Sequence, residues 1–218
     1  MTPKRSSDRM ASIDLGSHTA RLLVAGWEAG RLHGLLRKRA YTRLAEDFES
    51  PEAMILKPAA IERALEALEE FRADIERTGA RTVKGIATGV VRAAANRNRF
   101  IDLVREKTGI PIEIVSGEEE ARLTGLGIRH GLQLGDRPFT AFDLGGGTTE
   151  FLRVPGQGPF RAVSLPLGAM ILTQRHLFTD PPARREIENL KKEAREVLFS
   201  FLDAPWETML VGTGGTVT

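Results

Sequence analysis

The sequence predicts an α/β protein built from two domains that repeat each other. Apolar segments typical of strands alternate along the chain with amphipathic segments typical of helices, and this order favours α/β architecture. An apolar strand that runs into Asp-Leu-Gly, followed by small residues and another strand, occurs twice, at Ile13–Ser17 and at Phe142–Thr148. Duplication on the scale of a domain, without a short period, excludes a solenoid and indicates two related domains.

The first repeat is predicted to open with a three-stranded meander and to continue with alternating helices and strands. The predicted strands are Ala11–Leu15, Arg21–Trp27, Leu32–Arg39, Thr82–Ala87 and Pro111–Val115, with a tight turn at Ala29-Gly30. A helix start is expected at Ser50-Pro51-Glu52, with a restart or kink at Pro58. The steps of three and four in the following apolar stripe predict an amphipathic helix that ends at Gly79. Its members are Ile61, Leu65, Leu68, Phe71 and Ile75. A further helix is expected at Arg99–Lys107.

The second repeat is predicted to follow a helix from Gly117 to about Gly131 and a polar connection at Gln133–Arg137. The expected strands are Phe139–Asp143, Thr149–Val154, Arg161–Leu165 and Met209–Val211, with a hairpin at Pro155–Pro159 and helices at Ala169–Leu177 and Arg184–Leu202. We place the domain boundary between about Gly125 and Asp136, which gives domains over residues 1–130 and 131–218. The chain stops after the Gly/Thr loop Gly212–Thr216, so we expect the second domain to be truncated.

Composition narrows the possible functions. The chain has 218 residues, of which 41% are hydrophobic and 28% charged, and this profile is typical of a soluble globular protein. No apolar stretch approaches the ~20 residues of a membrane helix, and no signal peptide is visible, so a cytoplasmic protein is expected. The absence of cysteine excludes disulfides, thiolate metal sites and a Cys nucleophile. The net charge of +2 and the scattered basic residues do not indicate binding to duplex nucleic acid.

The repeated Asp-Leu-Gly turn has the properties of a phosphate loop. Glycine lets successive N–H groups point at one anion and removes the side chain that would block its approach. An Asp at the strand end can hold a divalent cation beside the phosphates. One such turn alone is more often an ordinary hairpin. A matched pair, with the third Gly/Thr loop, is much more specific, and two such loops could clamp a phosphate chain from both sides.

Six segments together identify a known family. They read DLGSHTARLLV, ATGVVRAA, PIEIVSGEEEARLTGLG, AFDLGGGTTEF, SLPLGAM and VGTGGTVT. Their order and spacing resemble the exopolyphosphatase / guanosine pentaphosphate phosphohydrolase family from about Ala11 to the last residue. The segment SGEEEARL is the most specific part, because AFDLGGGTTE also fits chaperone ATPases and sugar kinases. The resemblance implies two ribonuclease H-like domains of the actin-like superfold, each with a mixed sheet of the five-stranded type.

The resemblance also implies roles for individual residues. Glu120 matches the catalytic carboxylate and Arg92 the substrate-contacting arginine. Asp14, Asp143 and Glu150 are expected to hold Mg²⁺ or Mn²⁺, whose preference for oxygen ligands suits three carboxylates. The expected phosphate-binding residues are Asp14, Gly16, Ser17, His18 and Thr19 in the first loop, Gly145, Gly146, Gly147 and Thr148 in the second, and Gly212, Gly214 and Gly215 in the third.

Structural alternatives stand beside these roles. Glu118, Glu119 and Glu120 lie in the first turn of a predicted helix, where the macrodipole favours acidic side chains whatever their function. Periodicity does not choose among the three, and only the motif register selects Glu120. Arg92 could be an ordinary surface arginine. His33, His130 and His176 have no partner pattern that suggests metal ligation and are expected to be surface or capping residues. The basic run Arg37–Arg39 is expected to be a solvated face.

The sequence departs from the family pattern at three places. His18 stands where Asn is common and could contact a phosphate or alter the preferred chain length. Residues 43–47 replace a segment that is typically rich in glycine, which puts the shape of that loop in doubt. The chain is also short, which suggests a fragment, and open sheet edges favour association, for example as a homodimer.

The resemblance implies a phosphoanhydride hydrolase. Its substrate would be polyphosphate or guanosine pentaphosphate, and Glu120 would activate a water molecule for in-line attack that releases orthophosphate. The alternative from another class is a nucleotide-binding switch of the chaperone or actin kind, against which the SGEEEARL segment argues. A kinase of the same superfold is a third option, but no motif for an acceptor sugar is visible.

Overall fold

A computed structural model describes residues 9–28, 31–46, 54–155, 160–201 and 209–213. The Ala29-Gly30 turn, the helix start at Ser50–Glu52, the tip of the hairpin after Pro155 and the loop residues Gly214, Gly215 and Thr216 lie outside the described residues. The chain divides into two units, residues 1–115 and 116–218.

The first unit contains a five-stranded mixed sheet with the strand order β3-β2-β1-β4-β5. The strands are β1 (Arg9–Leu15), β2 (Thr19–Glu28), β3 (Arg31–Tyr41), β4 (Thr82–Ala87) and β5 (Ile112–Ile114). The first three pair antiparallel, whereas β4 and β5 continue the sheet in parallel with β1. The helices are α1 (Pro58–Thr78), α2 (Gly89–Ala93) and α3 (Arg97–Thr108). The short helix α2 was not predicted from the sequence.

The core of the first unit lies between one face of this sheet and α1 and α3. Alternate residues of β1 and β2, including Ile13, Leu15, Leu22 and Val24, are buried. Helix α1 begins at the proline that was predicted to restart it and ends at Gly79, which has a φ of 70°. Its buried stripe contains the predicted Leu68, Phe71 and Ile75 and adds the small residues Ala60, Ala64 and Ala67, while Ile61 and Leu65 are only half-buried.

The second unit repeats this topology with a four-stranded sheet in the order β8-β7-β6-β9. Its strands are β6 (Phe139–Leu144), β7 (Thr149–Val154), β8 (Arg161–Leu165) and β9 (Met209–Thr213), and its helices are α4 (Gly117–Gly131), α5 (Ala169–His176) and α6 (Arg184–Phe201). The first three strands again form an antiparallel meander, and β9 runs parallel to β6 as β4 does to β1. The predicted duplication is therefore present in the sheet topology.

Helices cover both faces of the second sheet. Ala121 of α4 packs with Phe139, Ala141, Leu152 and Val154. On the other face, Leu172 of α5 joins Leu165 and Leu167 in a cluster that Phe151 and Val163 contact together with apolar residues of α6. Neighbouring residues of a strand point to opposite faces of the sheet. Phe151 therefore packs against the α5 cluster, and Leu152 belongs to the α4 cluster.

The division between the units comes earlier than the boundary expected between about Gly125 and Asp136. The expected first domain, residues 1–130, includes helix α4. The helix belongs to the second unit, since it contacts β6, β7 and β8. A Cβ added at Gly125 would lie 1.9 Å from Leu152 Cδ2, so the helix and β7 approach each other as closely as a glycine permits.

Substitutions at two glycines of α4 test this packing. Gly125→Ala is expected to lower the free energy of unfolding by about 1–3 kcal/mol, because the added methyl group overpacks the contact with Leu152. Gly127→Ala is the matched control, since its Cβ would meet nothing within 4 Å. This control should raise the free energy of unfolding by about 0.5–1 kcal/mol through helix propensity. Urea denaturation followed by circular dichroism measures both changes, and equal midpoints would contradict the packing.

Candidate functional site

The two Asp-Leu-Gly segments fold into the same turn. In the first unit the N–H of Gly16 donates to the carbonyl of Thr19 at 3.0 Å, and in the second the N–H of Gly145 donates to that of Thr148, also at 3.0 Å. Each turn connects the strand that carries the aspartate to its antiparallel neighbour. The predicted sequence repeat is thus also a repeat of backbone hydrogen bonds.

The first loop is anchored to the start of α2. The Val90 N–H donates to Ser17 Oγ at 3.1 Å, and the Thr88 N–H donates to the carbonyl of Leu15 at 3.1 Å. Gly89 has a φ of 51°, and a Cβ there would lie 2.3 Å from Ser17 Oγ. Position 89 therefore requires glycine, and the loop is held against the helix that carries Arg92.

Arg92 is half-buried on α2, and its Nη1 donates to the carbonyl of Val115 at 3.2 Å. The structure thus brings Arg92 into the same unit as the first phosphate loop, on the element to which that loop is bonded. The predicted role of Arg92 in contacting the substrate stays a prediction.

Residues 43–46 brace the first loop from the other side. The Arg43 N–H donates to the carbonyl of His18 at 3.0 Å, and the Ala45 N–H donates to that of Ser17 at 2.9 Å. Arg43 has a φ of 49°, a left-handed conformation that glycine would adopt more easily. The His18 ring meets Tyr41 edge to face with centroids 5.7 Å apart. The segment without glycine therefore still forms a tight turn against the loop.

The second loop is closed by a segment whose role the sequence did not show. The N–H groups of Ala169 and Met170, at the start of α5, donate to the carbonyls of Gly145 and Gly146, both at 3.0 Å. A Cβ at Gly168 would lie 2.1 Å from the carbonyl oxygen of Gly146, so this position also requires glycine. The sequence signal for this contact is the glycine of the segment SLPLGAM, Gly168.

Only the beginning of the third predicted loop lies in the part of the chain that the structure describes. Strand β9 pairs with β6 so that Gly212 is opposite Phe142 and Thr213 is opposite Asp143. The described start of the third loop therefore lies beside the aspartate of the second loop. Gly214 and Gly215 lie outside the described residues, and their predicted role stays a prediction.

A cluster of carboxylates lies beside the second loop. Asp143 and Glu150 are direct partners across β6 and β7. Glu150 is only 3% exposed, and Ser164 Oγ donates to its Oε1 at 2.8 Å. Burial raises the pKa of Glu150 to about 7, and the negative charges of Glu120 and Asp143 add to this rise, while hydrogen bonds from Thr148 and Ser164 oppose it.

The three glutamates of α4 have different surroundings. Ser116 caps the helix by accepting from the Glu119 N–H at 3.1 Å. Arg122 donates to both carboxylate oxygens of Glu119 at 2.7 Å, which lowers the pKa of Glu119. Glu118 and Glu119 line a cavity of about 620 Å³, and Arg161 of β8 is part of the same lining. Glu120, in contrast, is the glutamate of the three whose charge acts on Glu150.

The donor set fits a hard cation held in part by its substrate. In the described residues no group of three or more His, Asp or Glu side chains could by itself hold a metal ion. Magnesium is usually bound through one or two carboxylates together with water and substrate phosphates, and the neighbours Asp143 and Glu150 match that requirement. Asp14 belongs to the first unit and stays a predicted ligand.

The three histidines expected to be surface or capping residues do not belong to the carboxylate cluster. His33 and His130 are exposed. The Nε2 of His176 lies 2.5 Å from Glu193 Oε2, in a hydrogen-bonded contact that joins α5 to α6. No described helix has the length and apolar composition to cross a membrane.

Two glycine turns with matching hydrogen bonds, one with a carboxylate cluster beside it, define a duplicated α/β protein. Comparison with known proteins agrees with this description. The profile of the Ppx/GppA phosphatase family matches residues 23–218. The chain belongs to this family, as its motifs predicted, and its class is that of a phosphatase.

Solved structures support the same conclusion. The Ppx/GppA family member of Aquifex aeolicus is 30% identical, with a TM-score of 0.78 over 96% of this chain and 67% of its own. An exopolyphosphatase from Cytophaga hutchinsonii is 26% identical, with a TM-score of 0.86 over 95% of this chain and 67% of its own. The ethanolamine utilization protein EutJ from Carboxydothermus hydrogenoformans is 18% identical with a TM-score of 0.55, and this likeness concerns the fold alone. The predicted fold class is confirmed.

The carboxylate cluster predicts an unusual dependence of stability on pH. A carboxyl group whose pKa rises from 4.5 in the unfolded chain to about 7 in the folded one binds its proton more tightly when folded. Stability should therefore fall as the pH rises from 4.5 to about 7, and the full cost, on the order of 3 kcal/mol, applies above that range. The neutral variant Glu150→Gln should be more stable than the parent chain at pH 8 and no more stable at pH 4.5.

Denaturation in a chelating buffer at the two pH values measures this difference. Glu119→Gln is the control, because that carboxylate is well exposed and paired with Arg122, so its loss should change stability little at either pH. Equal stability of Glu150→Gln and the parent chain at pH 8 would show that ionised Glu150 does not destabilise the fold.

Proposed function

We propose that the chain is a phosphoanhydride hydrolase that releases orthophosphate from the end of a polyphosphate chain or from guanosine pentaphosphate. The observation that carries the proposal is that the charge of Glu120, together with that of Asp143, raises the pKa of Glu150, which pairs with Asp143 beside the second phosphate loop. The exopolyphosphatase from Cytophaga hutchinsonii has the same fold, which supports polyphosphate as a substrate.

The phosphate loops would hold the transferred phosphoryl group. Their backbone N–H groups and Arg92 would neutralise charge on its oxygens. The loops would need little reorganisation, because hydrogen bonds hold the first from α2 and residues 43–45 and the second from α5. A bound Mg²⁺ or Mn²⁺ would supply further charge neutralisation for the phosphate oxygens. Asp143 and Glu150 would hold that ion.

Glu120 would act as the general base. It would orient a water molecule, accept its proton and direct its oxygen at the terminal phosphorus, while the bridging P–O bond breaks and the shortened chain leaves. Nearby anionic phosphates raise the pKa of a carboxylate, so substrate binding would make Glu120 a stronger base. Glu119 is a poorer candidate because its two oxygens are already bonded to Arg122.

Replacing the three glutamates one at a time tests the assignment. Glu120→Gln keeps the shape and removes the base, so orthophosphate release should fall on the order of 10²–10⁴-fold with substrate binding retained. Glu118→Gln and Glu119→Gln are the matched controls and should cost less than about tenfold. Loss of turnover in Glu119→Gln with a near-normal Glu120→Gln would move the base by one position. Normal turnover in all three would favour the nucleotide-binding switch.

The metal requirement is tested separately. Exhaustive chelation should abolish orthophosphate release, and Mg²⁺ or Mn²⁺ should restore it, because oxygen-only ligands suit these ions. Magnesium should also raise the melting temperature of the parent chain at pH 8, since it offsets the repulsion between Asp143 and Glu150, and should do so less for Asp143→Asn. Full activity after chelation would exclude the metal-assisted mechanism.

A further inference from the structure

The meander of the first sheet carries a basic face that the proposed chemistry does not use. Asp14 of β1 is opposite Arg21 of β2, which in turn is opposite Arg39 of β3. One step further along the same face, Leu23 is opposite Arg37. Arg37 and Arg39 are exposed, whereas the alternating residues Ile13, Leu22 and Val24 point into the core. We call the surface formed by Arg21, Arg37 and Arg39 the arginine face.

The duplication shows how different this face is from its counterpart in the second unit. Asp14 corresponds to Asp143, so the arginine face corresponds to the face of β6, β7 and β8 that α4 covers. That counterpart contains Ala141, Leu152 and Ala162, which pack in an apolar core. In the first unit, the residue opposite Leu23 is an exposed arginine, so this face carries positive charge where its counterpart is apolar.

The arginine face borders a cavity of about 430 Å³, which Ser12, Asp14, Arg21, Leu23, Arg37 and Arg39 help to line. Arg21 Nε is buried and has no hydrogen-bond partner in the part of the chain that the structure describes. Within the same residues, no hydrogen bond or ion pair engages the guanidinium groups of Arg37 and Arg39. By contrast, Lys38, on the opposite face, pairs with Asp74 at 2.5 Å. A buried donor without a partner is costly, and an anion in the cavity would satisfy it.

We propose that the arginine face binds the inner phosphate groups of a condensed inorganic phosphate chain whose end lies at the first loop. The inference rests on the proposed function, because it extends the substrate away from the reacting phosphoryl group. Asp14 lies at the end of the arginine face that adjoins the first loop. Arg37 lies on β3, farther from the first loop than Arg39. Guanidinium groups bind phosphate oxygens in bidentate pairs, and consecutive phosphates could engage successive arginines.

The lining of the cavity favours inorganic polyphosphate over a single-stranded nucleic acid. Nucleic acids that bind without sequence preference stack their bases on aromatic rings next to a basic groove. The residues that line this cavity include no aromatic side chain. A ligand with charge and without bases therefore matches it best.

The test replaces the two exposed arginines. Arg37→Gln/Arg39→Gln is compared with Arg99→Gln/Arg105→Gln, which removes two exposed positive charges from α3 and leaves the arginine face intact. Equilibrium binding of long-chain polyphosphate and of tripolyphosphate is measured in a chelating buffer. The measurement therefore does not depend on hydrolysis of either ligand. The first variant should bind long chains at least about tenfold more weakly, with a shallower salt dependence, and bind tripolyphosphate as the parent chain does. The control should bind both normally.

Three results would overturn the inference: equal weakening for both ligands, equal weakening in both double variants, or competition by oligothymidylate as strong as that by polyphosphate of the same charge. Hydrolysis of both ligands is measured in parallel with metal present, and KM for long chains should rise in the first variant with kcat unchanged. If the parent chain binds long polyphosphate through these arginines and releases no orthophosphate, the proposed function fails while the binding surface stands. If hydrolysis is normal and the first variant binds as the parent chain does, only the binding surface fails.

Discussion

Close backbone packing behind the two phosphate loops is the constraint on which the rest of the site depends. A Cβ at Gly89 or at Gly168 would lie 2.3 or 2.1 Å from the loop it supports, so each loop is fixed by a neighbour that has no side chain. Hydrogen bonds then hold the loops in place, from α2 and residues 43–45 in the first unit and from α5 in the second. Donors that are fixed before the ligand arrives bind an anion without the loss of conformational entropy that ordering them would cost.

The two repeats share a backbone and differ in charge at equivalent positions. The residue opposite the loop aspartate is Arg21 in the first unit and Glu150 in the second. One sheet therefore presents a cation beside its phosphate loop, and the other presents a buried acid whose pKa is raised to about 7. The two turns therefore share their backbone hydrogen bonds and differ in the charge of the residue opposite the aspartate.

The sequence predicted what is local and missed what depends on distant contacts. The strands, the loops and the start of α1 at Pro58 follow from short-range turn and capping chemistry. The expected first domain, residues 1–130, includes helix α4, whereas the structure places this helix in the second unit, through contacts with β6, β7 and β8 that lie farther along the chain. The raised pKa of Glu150 was missed for the same reason, since its burial and its charged neighbours come from different elements. Motif register selected Glu120, and only the folded chain separates its surroundings from those of Glu119.

The basic residues of β3 have a consequence for how copies of the chain meet. This eleven-residue strand lies at the edge of its sheet, where unpaired N–H and C=O groups can template pairing with another molecule. Arg37 and Arg39 point outward on one face of that edge, and Lys38 lies on the other. Like charges brought together by two such edges repel each other, so the strand is protected against aggregation by its own side chains.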